Sequence, residues 1–183
     1  MNITLKQKED VTGASKEILE KVENEYGFIP NIYAAFAESP AAAAAYYEVN
    51  RIIHEHVALS RQEQQIVMLT ISEHNKCEYC VAAHTTLAGM NNVGQDTVKA
   101  LREGGEPSDA KQAALVRFTR SVLDHQGWVP EPDQNALLDA GYTPRHALDV
   151  LTIIALKTLS NYTNHISGTP VDEAFASNRW SRE

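Results

Sequence analysis

Apolar positions recur at intervals of three and four along almost the whole chain, the spacing that gathers side chains on one face of an α-helix. Lys16 to Tyr26 places Ile18, Leu19 and Val22 together, and Gly27 supplies a stop. A short turn of helix is expected over Asn31 to Glu38. Ser39-Pro40 gives a cap and a first-turn proline for Ala41 to about Val57. Ser60-Arg61-Gln62-Glu63 reads as a capping box before a helix with Ile66, Val67, Leu69 and Ile71, running to about His74. A break near Asn75-Lys76 precedes a helix carrying Cys80 through Met90. Gln95 to Glu103 forms a short helix, and Ser108 caps a longer one. Asp133 to Ala140 follows Pro130 and Pro132, and Thr143-Pro144 starts the last long helix, to about His165. The polar tail to Glu183 is expected to be ordered only by a neighbouring subunit.

Alternating strand patterns and Asn-Gly or Asp-Gly hairpins are missing, and no linker rich in Gly, Ser or Pro divides the sequence. The expectation is one all-α domain over residues 1–183, a helical bundle. The long apolar helices from Ser60 and Thr143 both open with a cap and both end in Asn and His, as an internally duplicated helical pair would.

The length of 183 residues suffices for a full core without covalent staples. A formal charge of −8 argues against nucleic acid, whose affinity comes mainly from Lys and Arg contacts to phosphate. The N-terminus lacks the basic-then-apolar order of a signal peptide, and no apolar run suits a bilayer. The longest such stretch, Val150 to Leu159, is broken by Thr152, Lys157 and Thr158. A cytoplasmic protein without membrane contact is expected.

Both cysteines lie in Glu73-His74-Asn75-Lys76-Cys77-Glu78-Tyr79-Cys80-Val81-Ala82-Ala83-His84. In a reducing compartment a C-x-x-C pair suits catalysis or metal binding better than a permanent staple. On a helix, Cys77, Cys80 and His84 share one face, giving one thiol, a second to resolve it and an imidazole to move the proton. The thiolate is the reactive form of cysteine. A helix N-terminus, Lys76 and His84 would favour it, while burial and Glu78 oppose it. Glu73, one turn before Cys77, is placed to orient His84 or relay its proton. Zinc is the rival ligand, although a structural site wants four ligands and the chain has no further cysteine; Glu73, His74 or His165 would have to help. A non-catalytic oligomeric protein with an incidental thiol pair is the third reading. Asn161, Asn164 and His165 suit either capping or lining a pocket.

The E-x-x-x-C-x-x-C-x-x-x-H pattern, preceded by Leu59-Ser60 and an apolar helix, resembles the carboxymuconolactone decarboxylase superfamily, and within it the alkyl hydroperoxidase D-like, peroxidase-related branch. Gly27-Phe28-Ile29-Pro30-Asn31, Asn161-Tyr162-Thr163-Asn164-His165 and Gly168-Thr169-Pro170 are similar to that branch too. The resemblance implies a helical fold assembling as trimers or hexamers. It also implies thiol-dependent reduction of an organic hydroperoxide or a partner's disulfide, in antioxidant defence. By carry-over Cys80 attacks, Cys77 resolves, Glu73 and His84 relay protons, and a dithiol donor restores the pair. No bound organic cofactor is required, and no Gly-rich nucleotide loop is present. The family's upstream relay glutamate falls on Gln65 here, and a glutamine cannot carry a proton. Members that act as decarboxylases lack the cysteine pair, which argues against that reaction.

Overall fold

The computed structural model describes residues 3–181, and among them helices and short 3-10 turns are the regular elements, as the spacing predicts. In chain order they are α1 Gly13–Tyr26, α2 Asn31–Phe36, α3 Pro40–His56, α4 Arg61–His74, α5 Glu78–Met90, α6 Gln95–Arg102, α7 Ala110–Asp124, α8 Glu131–Asp139 and α9 Pro144–Ser167. The capping box at Ser60 is present: its hydroxyl accepts from Glu63 N, and the Glu63 carboxylate accepts from Ser60 N. Asp109 rather than Ser108 caps α7, accepting from Gln112 N at 2.8 Å. Both can accept an orphan N–H, and spacing alone does not separate neighbouring candidates.

Helix α4 is the centre of the molecule, with every residue from Gln64 to Glu73 buried. Val67, Met68 and Ile71 pack with Ile53 of α3, Leu115 and Phe118 of α7, and Ile153 and Leu156 of α9. Ile66 and Leu69 face Val81 and Ala88 of α5, Leu101 of α6 and Val116 of α7. A helix buried all round must satisfy its polar side chains internally. Accordingly Thr70 donates to Ile66 O, Ser72 to Met68 O and Gln64 to Leu59 O. A separate apolar cluster joins α1, α2 and α3 to Cys77, Tyr79 and Cys80.

The turn between α4 and α5 is tight. Lys76 takes a left-handed backbone with φ +57, and Cys77 N donates to Ser72 O at 2.9 Å. The tail differs from expectation. Residues Glu173–Asn178 form a 3-10 helix that packs on α5 of the same chain. Asp172 ties it down by accepting from Tyr79 Oη at 2.6 Å and from Asn31 N at the start of α2. Trp180 Nε1 donates to Arg102 O, so this indole also finds its partner within the chain. Arg182 and Glu183 lie outside the described residues. No described helix is long and apolar enough to cross a membrane.

Candidate active site

Cys77 is the N-cap residue of α5 and Cys80 lies in its first turn, so the pair sits where unpaired backbone N–H groups favour negative charge. Both are free thiols, 1% and 3% exposed. Asn164 of α9 holds them together: its Nδ2 lies 3.2 Å from Cys80 Sγ and 3.6 Å from Cys77 Sγ. Two turns earlier on the same face of α9 stands Lys157, and Asn161 lies between. Asn161 Oδ1 accepts from Asn75 Nδ2 at 2.9 Å, fixing the amide beside the turn that leads to Cys77.

Burial pushes the Cys80 thiol up. The hydrogen bond from the Cys77 thiol and the positive charge of Lys157 outweigh it, and Cys80 falls below the ordinary thiol value. Cys77 moves the opposite way, because it donates to Cys80 and is buried beside it. The two sulfurs therefore tend to opposite protonation, Cys80 toward the thiolate and Cys77 toward the thiol.

His84 also faces this cluster, one turn after Cys80, but its ring bonds go elsewhere. Nε2 lies 2.7 Å from Lys157 Nζ, and Nδ1 lies 3.0 Å from Gln65 Oε1 of α4. Burial and then the Lys157 charge depress the imidazole well below its usual value, so the ring is neutral. An ammonium can only donate and an amide oxygen can only accept, which fixes the tautomer: Nε2 accepts from Lys157 and Nδ1–H donates to Gln65. Lys157 is therefore the charged group against the His84 ring, on the helix face that also carries Asn164.

The expected pairing of Glu73 with His84 is not formed. The Glu73 carboxylate pairs with Lys76 and faces Gly104, whose missing Cβ would sit 3.3 Å from Glu73 Oε1. It points toward the loop after α6, whereas the imidazole points between α4 and α9. His165 is exposed and stacks on Tyr162, away from the sulfurs. Among the described residues no three His, Cys, Asp or Glu side chains gather as a metal ion would need.

A cleft of about 840 Å³ runs between α5, α6 and the tail, bordered by Thr85, Arg102 and Trp180, but neither cysteine lines it. Lys157 and Asn164 are the site residues to which the motif assigns no role. The available signal was a lysine and two asparagines spaced four and three residues apart on the apolar face of one helix.

Residues 40–120 match the Carboxymuconolactone decarboxylase family. No curated protein matches the chain by sequence. Among solved structures, the chain is similar to the alkylhydroperoxidase AhpD core of an uncharacterized peroxidase-related protein from Ralstonia eutropha JMP134. The TM-score is 0.83 at 21% identity, over 98% of this chain and 96% of that one. It is also similar to an uncharacterized peroxidase-related protein from Silicibacter sp. TM1040, with a TM-score of 0.80 at 17% identity over 96% and 92% of the two chains. A third is the debrominase Bmp8, as the C82A variant in complex with 2,3,4-tribromopyrrole, with a TM-score of 0.80 at 17% identity over 97% and 95%. The match to the carboxymuconolactone decarboxylase family thus rests on residues 40–120, within an all-helical fold similar to the AhpD core over nearly the whole chain.

Proposed function

We propose that the protein is a dithiol oxidoreductase that reduces small organic hydroperoxides, with Cys80 as nucleophile and Cys77 as resolving thiol. The observation that carries this reading is the Asn164 amide bridging two sulfurs of opposite protonation tendency. The Cys80 thiolate attacks the terminal peroxide oxygen, the O–O bond breaks, and the alcohol leaves, with Cys80 becoming a sulfenic acid. Cys77 then attacks the Cys80 sulfur; the disulfide forms and hydroxide departs with the Cys77 proton as water. A dithiol donor reduces the disulfide by exchange, supplying two electrons and two protons.

Burial of both sulfurs favours a small oxidant over the disulfide of a folded partner, which would need the site opened much further. A homo-oligomer of three or six chains in a reducing cytoplasm belongs to the same proposal. The exposed Leu148, Leu151, Tyr162 and Ile166 on α9 supply apolar surface for it, and light scattering at the mass of one 20.3 kDa chain would remove it.

The test is consumption of cumene hydroperoxide with dithiothreitol as donor, beside trapping with dimedone. Cys80→Ser should abolish turnover, and Cys77→Ser should leave a trappable sulfenic acid on Cys80. A second reading, reductive dehalogenation, draws on the likeness to the debrominase fold. Bromide release from a brominated pyrrole, without peroxide consumption, would select it.

A further inference from the structure

Lys157 is a buried charge in need of a counter-charge. Its side chain is 1% exposed, and among the described residues no carboxylate pairs with it. An ammonium taken out of water without an anionic partner costs several kcal/mol. Its hydrogen-bond acceptor at 2.7 Å, His84 Nε2, is neutral and cannot supply that charge. The helix face carrying Lys157 also carries Asn161 and Asn164, and Asn164 touches both sulfurs. The acidic group that this cluster offers is the thiol of Cys80.

We propose that Lys157 is a catalytic residue of this site: its ammonium is the resident counter-ion of the Cys80 thiolate and the acid that protonates the departing oxygen. Neutral His84, held by Gln65, anchors the lysine rather than titrating. The inference rests on the dithiol reading above.

The balance is closed. Reduced protein holds Cys80 thiolate, Lys157 ammonium and Cys77 thiol. Attack on the hydroperoxide breaks O–O, and the alkoxide takes a proton from Lys157, giving alcohol, Cys80 sulfenic acid and a neutral amine. Condensation with Cys77 releases water. The disulfide state thus holds a neutral Lys157, and the anion and its counter-ion disappear together. A donor dithiol then supplies two electrons and two protons, restoring thiolate, thiol and ammonium. No step leaves an unpaired charge in the interior.

The experiment compares wild type, Lys157→Met and Lys157→Arg by thiolate ultraviolet absorbance against pH and by hydroperoxide turnover. Circular dichroism confirms folding, and Lys157→Gln replaces the methionine variant should that one not fold. Lys157→Met should raise the Cys80 titration midpoint by about one pH unit or more, a tenfold loss of thiolate on the acid side of the midpoint. Lys157→Arg should hold that midpoint near wild type while turnover falls by roughly a hundredfold, because a guanidinium keeps its proton. Superimposable titrations of wild type and Lys157→Met would overturn the counter-ion role, and normal turnover by Lys157→Arg would overturn the acid role. Wild type that shows the shift on Lys157→Met but consumes no hydroperoxide would uphold the ion pair and remove the peroxidase reading.

Discussion

Gln65 Oε1 lies 3.0 Å from Nδ1 of His84, at the one ring nitrogen that Lys157 leaves free. An amide can hold that N–H but cannot take its proton, so the imidazole stays in one tautomer and one charge state.

Exchanging Gln65 for glutamate should change that. A carboxylate facing Nδ1–H favours the imidazolium and raises the histidine from its depressed position. In wild type the His84 ring signals should stay flat as pH falls through the ordinary histidine range. In Gln65→Glu the protonated form should appear within it, and NMR of the ring carbons reads the difference. A ring that titrates near neutrality in wild type would contradict the neutral, locked histidine.

Asn164 tests the sulfur bridge. Asn164→Ala removes the donor to both thiols and leaves a small gap between α5 and α9. A hydrogen bond to a charged acceptor contributes roughly 1.5–3 kcal/mol. The Cys80 titration midpoint should therefore rise by about one pH unit. Because the wild-type thiol is held low, its thiolate persists as pH falls and is lost only through that low midpoint. In the variant the loss comes at higher pH. Alkylation rate against pH measures both, and identical profiles would show that the amide is passive.

Glu73 is paired with Lys76 and turned toward Gly104. Glu73→Gln should therefore alter turnover by less than about tenfold, whereas a group in the proton path contributes about a hundredfold or more. A loss of the larger size in steady-state assays would restore it to the relay.

Gly104 has φ +73, and an added Cβ would sit 3.3 Å from Glu73 Oε1. Gly104→Ala should cost about 1 kcal/mol or more from backbone strain alone, before any displacement of the carboxylate. Urea denaturation of the variant checks this, and an unchanged midpoint would mean that the loop relaxes freely.

Tyr79 sits between the cysteines, yet its hydroxyl serves the tail by donating to Asp172 at 2.6 Å. Tyr79→Phe leaves the buried carboxylate with only the Asn31 amide to bind. The expected loss is about 1.5–3 kcal/mol. Proteolysis near residues 170–180 should quicken at the same time. Unaltered stability and unaltered cleavage would show that the tail is held by Phe175 and Trp180 instead.

Local patterning carried much of this molecule. Period, proline and glycine signals are short-range, so helix starts at Ser39, Ser60 and Thr143 and the stop at Gly27 were legible without any contact information. The common face of Cys80 and His84 followed from helix geometry alone. Lys157 was visible only as a charge interrupting an apolar run, since its meaning depends on a helix 73 residues away in sequence. The tail, expected to be ordered by a neighbouring subunit, is held within the chain for the same reason: Tyr79, Asn31 and Arg102, its partners, lie far from Asp172 and Trp180 in sequence.

Local spacing alone set the helices and placed two thiols and an imidazole within about two turns of backbone, because those depend on neighbours three and four residues apart. Which group acts on which was decided only when α4 and α9 closed over α5. That packing gave His84 to Gln65 and Lys157, turned Glu73 toward Lys76, and brought Asn164 onto both sulfurs. Protonation in an interior follows from burial and from the nearest charge, and both are properties of the assembled bundle.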